Sequence, residues 1–321
     1  MPQLTVLTTL VLLAQWPVPA PPPQTPAPSA PVPADALQVQ VMLDRAGFSP
    51  GAIDGRMGQN TQKALALFRE KGNQQAAAVK ATTTYRITAD DVAGPYVGST
   101  PEDMMEQAKL AALRYATLLE SLSERFHCTP ALLQQLNQGI NFAADQDIQV
   151  PNVDPMVAPV ETTITPAPAE NGKPRSAQPT APAKPEVIVT VARRSSAITV
   201  SDPSGAVIFY APVTTGSEYD PLPIGDWKVT SVHLNPIFRY NPDLFWDADP
   251  SHTKATIPPG PNNPVGLVWI GISKEHYGLH GTPEPSTIGR TQSHGCVRLT
   301  NWDALKLAGL VQAGTRVVFT E

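Results

Sequence analysis

Cysteine, charged residues and long apolar runs are all scarce in this sequence of 321 residues. It has 2 cysteines, Cys128 and Cys296, which are too few for a fold held together by disulfides. Charged residues make up 16% of the chain, the formal net charge is -5 and no run of Lys and Arg stands out, so we expect no nucleic-acid partner. No apolar run reaches the roughly 20 residues of a membrane helix, which predicts a mature protein without a transmembrane span. We interpret Cys128 as a small buried apolar residue.

Proline, by contrast, is abundant. The chain has 36 prolines, about twice the usual share, and they crowd into residues 17–33 and 151–185, which we interpret as linkers. An apolar run from Leu4 to Leu13 has the length of the hydrophobic region of a secretory signal peptide, so we expect export. A signal peptide usually has Lys or Arg before its apolar run, and this sequence has none there. A misassigned start codon and a plain hydrophobic tail are therefore the alternatives to a signal peptide.

These shifts in composition divide the chain into successive segments. We predict a signal peptide at 1–20, a Pro-rich linker at 21–34, a first small module at 35–94, a helical segment at 95–153, a second Pro-rich linker at 154–185 and a C-terminal domain at 186–321. The second linker is expected to stay extended and to give the C-terminal domain reach.

The first module is predicted to contain two short helices joined by a glycine-rich loop. Asp35 can cap a helix that ends at Gly47, and a second helix is expected from about Asn60. The loop between them contains Ile53-Asp54-Gly55. This pattern resembles the peptidoglycan-binding domain that accompanies many wall hydrolases and transferases, which implies a wall-binding role.

The segment at 95–153 is predicted to begin with one long helix over residues 102–125. Its apolar residues recur on one stripe, at Met105, Leu110, Leu113 and Leu118. From Leu119 to Val153 the sequence is similar to a degenerate LysM repeat, a glycan-binding motif, although no first strand is evident. A plain helical spacer is the alternative.

The C-terminal domain changes to short β-rich runs, which predict a mainly β fold. The expected strands are 187–191, 197–200, 207–210, 227–232, 267–272 and 316–319. A turn at Asp202-Pro203-Ser204-Gly205 separates two of them, and one helix is expected from about Trp302 to Val311.

The chemically reactive residues of this domain cluster within residues 277–299. A thiol is a good acyl acceptor when a base or a positive charge raises its thiolate fraction, and His is the base best suited to neutral pH. Cys296 is therefore the candidate nucleophile, with His280 and His294 as candidate bases. If the chain is extended here, His294 and Cys296 lie on one face. Gly295 would let the backbone amides beside Cys296 approach a developing oxyanion.

Two other interpretations stay open from the residues alone. In the first, Cys296 is an ordinary buried cysteine of a strand and the histidines are loop residues. In the second, His276, His280, His294 and Cys296 bind zinc, but the spacing of His276 and His280 suits a helix where the sequence predicts a strand, and no His-Glu-x-x-His pattern exists. We predict no metal and no cofactor.

The motifs themselves match a known family. His280-Gly281-Thr282, followed by Ser293-His294-Gly295-Cys296-Val297-Arg298, resembles the YkuD-type L,D-transpeptidases. Runs at 221–227 and 260–266 extend the resemblance over nearly all of residues 186–321, although Leu222 or Pro223 replaces a more usual residue of the family. The resemblance implies a YkuD-like β-sandwich with a short helix, attached to the small α-helical N-terminal module.

The resemblance also implies roles for individual residues. Cys296 would be the nucleophile and His280 the general base and acid, with a backbone carbonyl just after His280, that of Gly281, holding the imidazole. The remaining site residues would bind, orient or stabilise the oxyanion: Ser293, His294, Gly295 and Arg298. Some family members have Lys in place of His294, which argues that His294 tunes the site. Arg298 would pair with a carboxylate of the substrate or of the fold itself.

The implied function is an exported enzyme, periplasmic or associated with the cell wall, that forms or remodels peptidoglycan cross-links. Cys296 would form a thioester with a tetrapeptide stem, an amine such as that of meso-diaminopimelate would resolve it, and carbapenems would acylate the same thiol. Within the family, the alternatives are an L,D-carboxypeptidase and an enzyme that attaches or releases a wall-anchored lipoprotein. The alternative of another class is a non-catalytic protein that binds peptidoglycan glycan.

Overall fold

The computed structural model describes residues 34–71, 79–159 and 186–321. The predicted signal peptide at 1–20, nearly all of the first linker and most of the second linker lie outside the described residues. Within the described ranges, no helix has both the length and the apolar character needed to cross a bilayer.

The N-terminal part is built from short helices and one pair of strands. In chain order its elements are α1 Ala34–Arg45, α2 Gln59–Glu70, β1 Thr82–Arg86, α3 Ala89–Ala93, α4 Met104–Gln107, α5 Leu118–Arg125, α6 Pro130–Leu136 and β2 Asp147–Pro151. The two helices predicted for the first module correspond to α1 and α2. They pack through Leu43, Ala64 and Phe68, and the ring of Phe48 meets that of Phe68 edge-on at 5.4 Å.

Strand β1 was not predicted from the sequence. It pairs antiparallel with β2, from Thr82 opposite Pro151 to Arg86 opposite Asp147, and α5 and α6 lie between the two strands in the chain. Buried apolar residues of α5 and α6 pack with Ile148 and Val150 of β2 in one cluster. The pairing joins residues from both sides of the boundary predicted between residues 94 and 95.

The prediction of one long helix over residues 102–125 is wrong. The structure has two short helices, α4 and α5, and between them Leu113 donates its N–H to Pro259 O (2.8 Å) and accepts from Asn262 N (2.9 Å). These bonds to the C-terminal domain replace helical bonds. The Thr117 side chain caps the second helix by accepting a hydrogen bond from Glu120 N. The Thr-x-x-Glu motif that starts this helix overlaps the end of the apolar stripe and was therefore not recognised in the sequence.

The C-terminal part is mainly β, as predicted. Its elements are β3 Ile188–Ala192, β4 Ala197–Ser201, β5 Val207–Pro212, β6 Gly225–Leu234, β7 Phe238–Tyr240, β8 Ala255–Ile257, β9 Val268–Ile272, β10 Gly278–His280, β11 Val297–Arg298, α7 Asn301–Leu310 and β12 Arg316–Thr320. All six predicted strands and the predicted helix are present. The turn at residues 202–205 connects β4 to β5 and is closed by a bond from Gly205 N to Asp202 O.

The domain has one eight-stranded sheet, in the order β11-β10-β9-β6-β12-β3-β4-β5, and a separate antiparallel hairpin of β7 and β8. Strand β6 pairs with β12 through its first residues and with β9 through its last, and its pairing with β9 has a register shift between Val229 and Ser231. A bulge of this kind bends a strand. The sheet therefore curls at β6, and buried residues of both halves, such as Val191 and Ile270, share one core.

The N-terminal part packs directly on the C-terminal domain. The second linker was expected to let the C-terminal domain reach away from the N-terminal part, and this expectation is wrong. Ser49 N donates to Tyr210 O and Tyr210 N to Gly47 O, which covers the edge strand β5 of the sheet. Helix α7 has one side on β9 and β10 and the other against the N-terminal part. There the ring of Trp302 stacks on His127, with centroids 5.2 Å apart.

A buried ionic cluster fixes this contact. Asp44 of α1 is 2% exposed and lies 3.0 Å from both His127 Nδ1 and Lys306 Nζ of α7. Burial alone would raise the pKa of the Asp44 carboxyl, but His127 and Lys306 outweigh it and lower the pKa to about 2. The ionised carboxylate is therefore part of the folded structure at neutral pH.

Replacing Asp44 with Asn should lower the free energy of unfolding by about 3 kcal/mol at pH 7, because a buried charge loses its partner. Since the pKa of Asp44 is lowered from 3.8 to about 2, its contribution is complete above about pH 4 and is lost as the pH falls towards 2. Urea unfolding at several pH values measures the difference. Asp154→Asn, which removes an exposed pair with Arg45, is the control and should cost under about 0.5 kcal/mol. A difference for Asp44→Asn that does not shrink in acid would contradict this account.

Candidate active site

Two neighbouring strands position His280 and Cys296. Strand β10 ends at His280, β11 begins just after Cys296, and the two strands run parallel with His280 opposite Arg298. The register places His280 and Arg298 opposite each other, with their side chains on a common face. Cys296, the residue before β11, meets β10 through the N–H of Gly278.

The imidazole of His280 is buried and fixed in one orientation. His280 is 4% exposed, and its Nδ1 lies 2.7 Å from the carbonyl oxygen of Gly281. A carbonyl can only accept, so Nδ1 carries the proton and Nε2 of the neutral ring keeps its lone pair. The ring of Trp269, directly opposite on β9, stacks on His280 with centroids 5.6 Å apart and an interplanar angle of 19°.

The thiol of Cys296 lies against the backbone of the chain that leads into β10. Its Sγ is 3.7 Å from the carbonyl oxygen of His276, and the N–H of Gly278 donates to it. Gly295, just before it, has φ +100°, and a Cβ there would lie 2.6 Å from the ring of Tyr277. Both the backbone angle and the tight contact with Tyr277 require glycine at this position.

The prediction that His294 and Cys296 share one face of an extended strand is wrong. The chain bends through residues 294–296, and β11 begins only at Val297. His294 turns instead towards the β7–β8 hairpin, where its Nε2 lies 2.7 Å from Asp247 Oδ1. Its ring packs edge-on against Phe245 at 5.0 Å. The positive φ of Gly295 separates the directions of the two side chains.

Ser293 and Arg298 flank the thiol. The hydroxyl of Ser293 donates to the backbone carbonyl of Cys296 at 2.5 Å, and its N–H donates to Thr215 O, so it holds the loop in place. Arg298 is anchored by two backbone hydrogen bonds with Thr214. Glu284 and Asp247 act on the Arg298 guanidinium only as charges at a distance, with no salt bridge to it among the described residues.

The electrostatics of the site favour an uncharged resting pair. Burial, together with the positive charge of Arg298, lowers the pKa of His280 to about 3, against a smaller opposing effect of the bond to Gly281. Burial raises the pKa of the Cys296 thiol to about 11, and the Gly278 N–H and Arg298 only partly offset it. At neutral pH the site therefore holds a thiol and a neutral imidazole, and the imidazole is in the form that can accept a proton.

The second cysteine is unlike the first. Cys128 is 1% exposed, lies in an apolar cluster with Leu122 and Leu132, and burial raises the pKa of its thiol far above the usual range. The interpretation of Cys128 as a small buried apolar residue is confirmed.

Several residues around the site had no signal in the sequence. Trp269 is an ordinary member of an apolar run, Tyr277 opens the reactive stretch without a role of its own, and Asp247 lies in a loop that the motifs do not include. Asn301 follows the Ser-His-Gly-Cys motif closely, but in the sequence it indicates only the start of a helix. In the structure its side-chain amide packs against Gly281, whose carbonyl bonds His280. Only the tertiary fold brings these residues together.

The zinc interpretation finds no matching arrangement. His280 is the last residue of a strand, so the spacing from His276 does not correspond to one turn of a helix. Across the described ranges, no three His, Cys, Asp or Glu side chains are grouped so that they could hold a metal ion.

Comparison with known proteins agrees with this geometry. The family model for the L,D-transpeptidase catalytic domain (YkuD) matches residues 186–319. These residues are a YkuD-type L,D-transpeptidase catalytic domain. The match covers the curled sheet, α7, His280 and Cys296, and it begins after the N-terminal part ends.

Relatives of the transpeptidase domain align over limited stretches. The putative L,D-transpeptidase YkuD of Bacillus licheniformis is 52% identical over 62 residues, which are 19% of this chain and 38% of the relative. The putative L,D-transpeptidase YqjB of Bacillus subtilis is 33% identical over 115 residues, 34% of this chain and 57% of the relative. The chain thus spans between 38% and 57% of these relatives. An L,D-transpeptidase structure from Mycobacterium smegmatis matches with a TM-score of 0.35 at 20% identity, covering 42% of this chain and 59% of that one.

The pKa of the Cys296 thiol predicts how the transpeptidase domain reacts with iodoacetamide. Since the thiolate is the reacting form and the pKa lies near 11, the rate of alkylation should rise steadily from pH 7 to pH 10 without a plateau. Mass spectrometry of the intact chain measures the rate. Cys128→Ala should give the same profile, because the buried Cys128 is not accessible. A plateau below pH 8 would indicate a thiolate paired with protonated His280 and would contradict this electrostatic account.

Proposed function

We propose that this chain is an L,D-transpeptidase that acts on peptidoglycan stem peptides through a thioester on Cys296. The observation that carries the proposal is that Cys296 contacts β10, whose last residue is His280, and that Arg298 acts on both of them, with Nε2 of His280 unprotonated. A half-buried thiol next to a fixed base is the arrangement that nucleophilic catalysis requires.

In the first half of the reaction, the Cys296 sulfur attacks the carbonyl carbon of the L,D peptide bond in a tetrapeptide stem. His280 Nε2 takes the thiol proton as the sulfur–carbon bond forms, and the backbone amides at Gly295 and Cys296 donate to the developing oxyanion. The carbon–nitrogen bond then breaks, His280 returns the proton to the departing amine, and the terminal D-residue leaves. A thioester remains on Cys296.

In the second half, the side-chain amine of a second stem attacks the thioester. His280 accepts a proton from this amine and passes it to the sulfur as the thioester breaks, which restores the thiol and releases the cross-linked product. Because the pKa of His280 is low, the ring holds the proton only briefly and is ready again as a base.

Arg298 is proposed to bind a carboxylate of the substrate. Its guanidinium has no salt bridge among the described residues, and it lies near enough to Cys296 and His280 to shift the pKa of both. A stem peptide brings carboxylates to the reacting bond, and Arg is well suited to bind them in a fork of two hydrogen bonds. His294, held by Asp247, would shape the same entrance.

The proposal extends to where the protein works. We infer export to the periplasm or cell wall, directed by the signal peptide predicted at residues 1–20, since the proposed substrate lies there. We also propose that residues 35–153 bind peptidoglycan, as the resemblances of the two N-terminal segments imply. The antiparallel pairing of β1 with β2, and the packing of α5 and α6 with β2, support this part of the proposal.

Products formed from disaccharide-tetrapeptide test the proposed reaction. The wild-type chain should yield a cross-linked dimer and a free D-residue, seen by mass, and Cys296→Ala should yield neither. His280→Ala should slow the reaction by about 10²- to 10⁴-fold, as expected for loss of a general base. Cys128→Ala is the matched control and should keep activity.

Other outcomes of this experiment would point elsewhere. Tripeptide without dimer would show that water resolves the thioester and would favour the carboxypeptidase. No product from a chain that still sediments with insoluble peptidoglycan would leave only the binding role and contradict the proposal.

A further inference from the structure

Helix α5 of the N-terminal part contacts α7 next to the proposed active site. Its Glu124 is 6% exposed and accepts two hydrogen bonds, from Tyr115 Oη at 2.5 Å and from Asn301 Nδ2 at 2.8 Å. Asn301 is the first residue of α7 and is fully buried. Glu124 lies outside residues 186–319, the part that matches the transpeptidase family.

The side-chain amide of Asn301 has one possible orientation. Its Nδ2 donates to Glu124 Oε1 and to Pro261 O (3.2 Å), and its Oδ1 accepts from Leu267 N (2.9 Å). A flipped amide would place its oxygen against two acceptors and its nitrogen against a donor. Glu124 therefore helps to decide which way the amide of Asn301 points.

The oxygen of that amide lies directly against the glycine that bonds the proposed base. A Cβ at Gly281 would lie 2.1 Å from Asn301 Oδ1, and a Cβ at Gly266 would lie 2.0 Å from the same atom. The carbonyl of Gly281 is the acceptor for His280 Nδ1. A displacement of Asn301 would therefore move the peptide that sets the direction of the His280 ring.

We propose that Glu124 and Asn301 are positioning residues for His280, so that the N-terminal part completes the active site of the transpeptidase domain. The inference rests on the proposed role of His280 as the base. Glu124 holds Asn301, Asn301 packs on Gly281, and Gly281 orients the imidazole. Neither positioning residue forms a hydrogen bond with His280 or Cys296 among the described residues.

A different contact between the same two parts of the chain supplies a matched control. Lys306 of α7 bonds Asp44 of α1, about one and a half turns along the helix from Asn301. Lys306→Met should therefore weaken the packing of the N-terminal part without turning the amide of Asn301.

Three full-length variants test the inference. Glu124→Ala should lower kcat by about 10- to 100-fold with little change in KM, because a small misplacement of a catalytic group costs that much and Glu124 does not touch substrate. Glu124→Gln should keep most of kcat, since its amide oxygen can still accept from Asn301 while its amide nitrogen donates to Tyr115 Oη. Lys306→Met should lower the melting temperature and leave kcat near the wild-type value.

The Nδ1 proton of His280 supplies a second readout that needs no substrate. Because the ring is buried and bonded to Gly281, this proton should give a distinct NMR resonance in the wild type, in Glu124→Gln and in Lys306→Met. In Glu124→Ala the resonance should shift or disappear through exchange with water.

The two readouts separate failure of the inference from failure of the proposed reaction. An unchanged kcat and an unchanged resonance in Glu124→Ala would overturn the inference. So would an equal loss of kcat in folded Lys306→Met, which would reveal a general effect of domain packing. If the wild type forms no product, the proposed reaction fails, and the resonance in Glu124→Ala still decides whether Glu124 positions His280.

Discussion

The hydrogen bond from His280 Nδ1 to the carbonyl of Gly281 is the interaction on which the chemistry depends. It assigns the ring proton to Nδ1 and leaves Nε2 as the base, at the end of the strand whose Gly278 contacts the Cys296 thiol. Burial beneath Trp269 and the nearby charge of Arg298 keep the imidazole neutral. A buried neutral base and a protonated thiol can exchange a proton during attack without a stable ion pair forming beforehand.

This bond in turn depends on packing that extends beyond the transpeptidase domain. The peptide of Gly281 is confined by Asn301 at the start of α7, and α7 lies between the β-sheet and the N-terminal part. Buried contacts from Asp44, Ser49, Glu124 and His127 join the N-terminal part to this helix. The N-terminal part is thus packed on the catalytic domain as a structural component of it.

The sequence predicted most of the catalytic domain because its signals are local. Six strands of residues 186–321 are short β-rich runs, and the chemistry of Cys296 and His280 follows from motifs that lie close together in the chain. What the sequence could not provide were the contacts between distant residues. The stripe from Met105 to Leu118 has helical spacing, yet its middle leaves the helix because Leu113 bonds the loop around Gly260.

The direction of His294 and the pairing of β1 with β2 illustrate the same limit. Residues 294–296 would place two side chains on one face if extended, but the positive φ of Gly295, required by the ring of Tyr277, turns the chain. Strand β1 has little apolar character of its own, and its partner lies some sixty residues later in the chain, between Thr84 and Gln149 for example. Glu124 carries no motif, and only its burial against Asn301 reveals a role.

The protonation state of His280 tests the central claim most directly. Nitrogen-15 NMR of the full chain reports which ring nitrogen carries the proton, and His280→Gln identifies the signals. We predict a neutral ring with the proton on Nδ1 throughout the range from pH 8 to pH 5, since the pKa is near 3. A proton on Nε2, or conversion to imidazolium near the ordinary histidine pKa of about 6.5, would contradict the account.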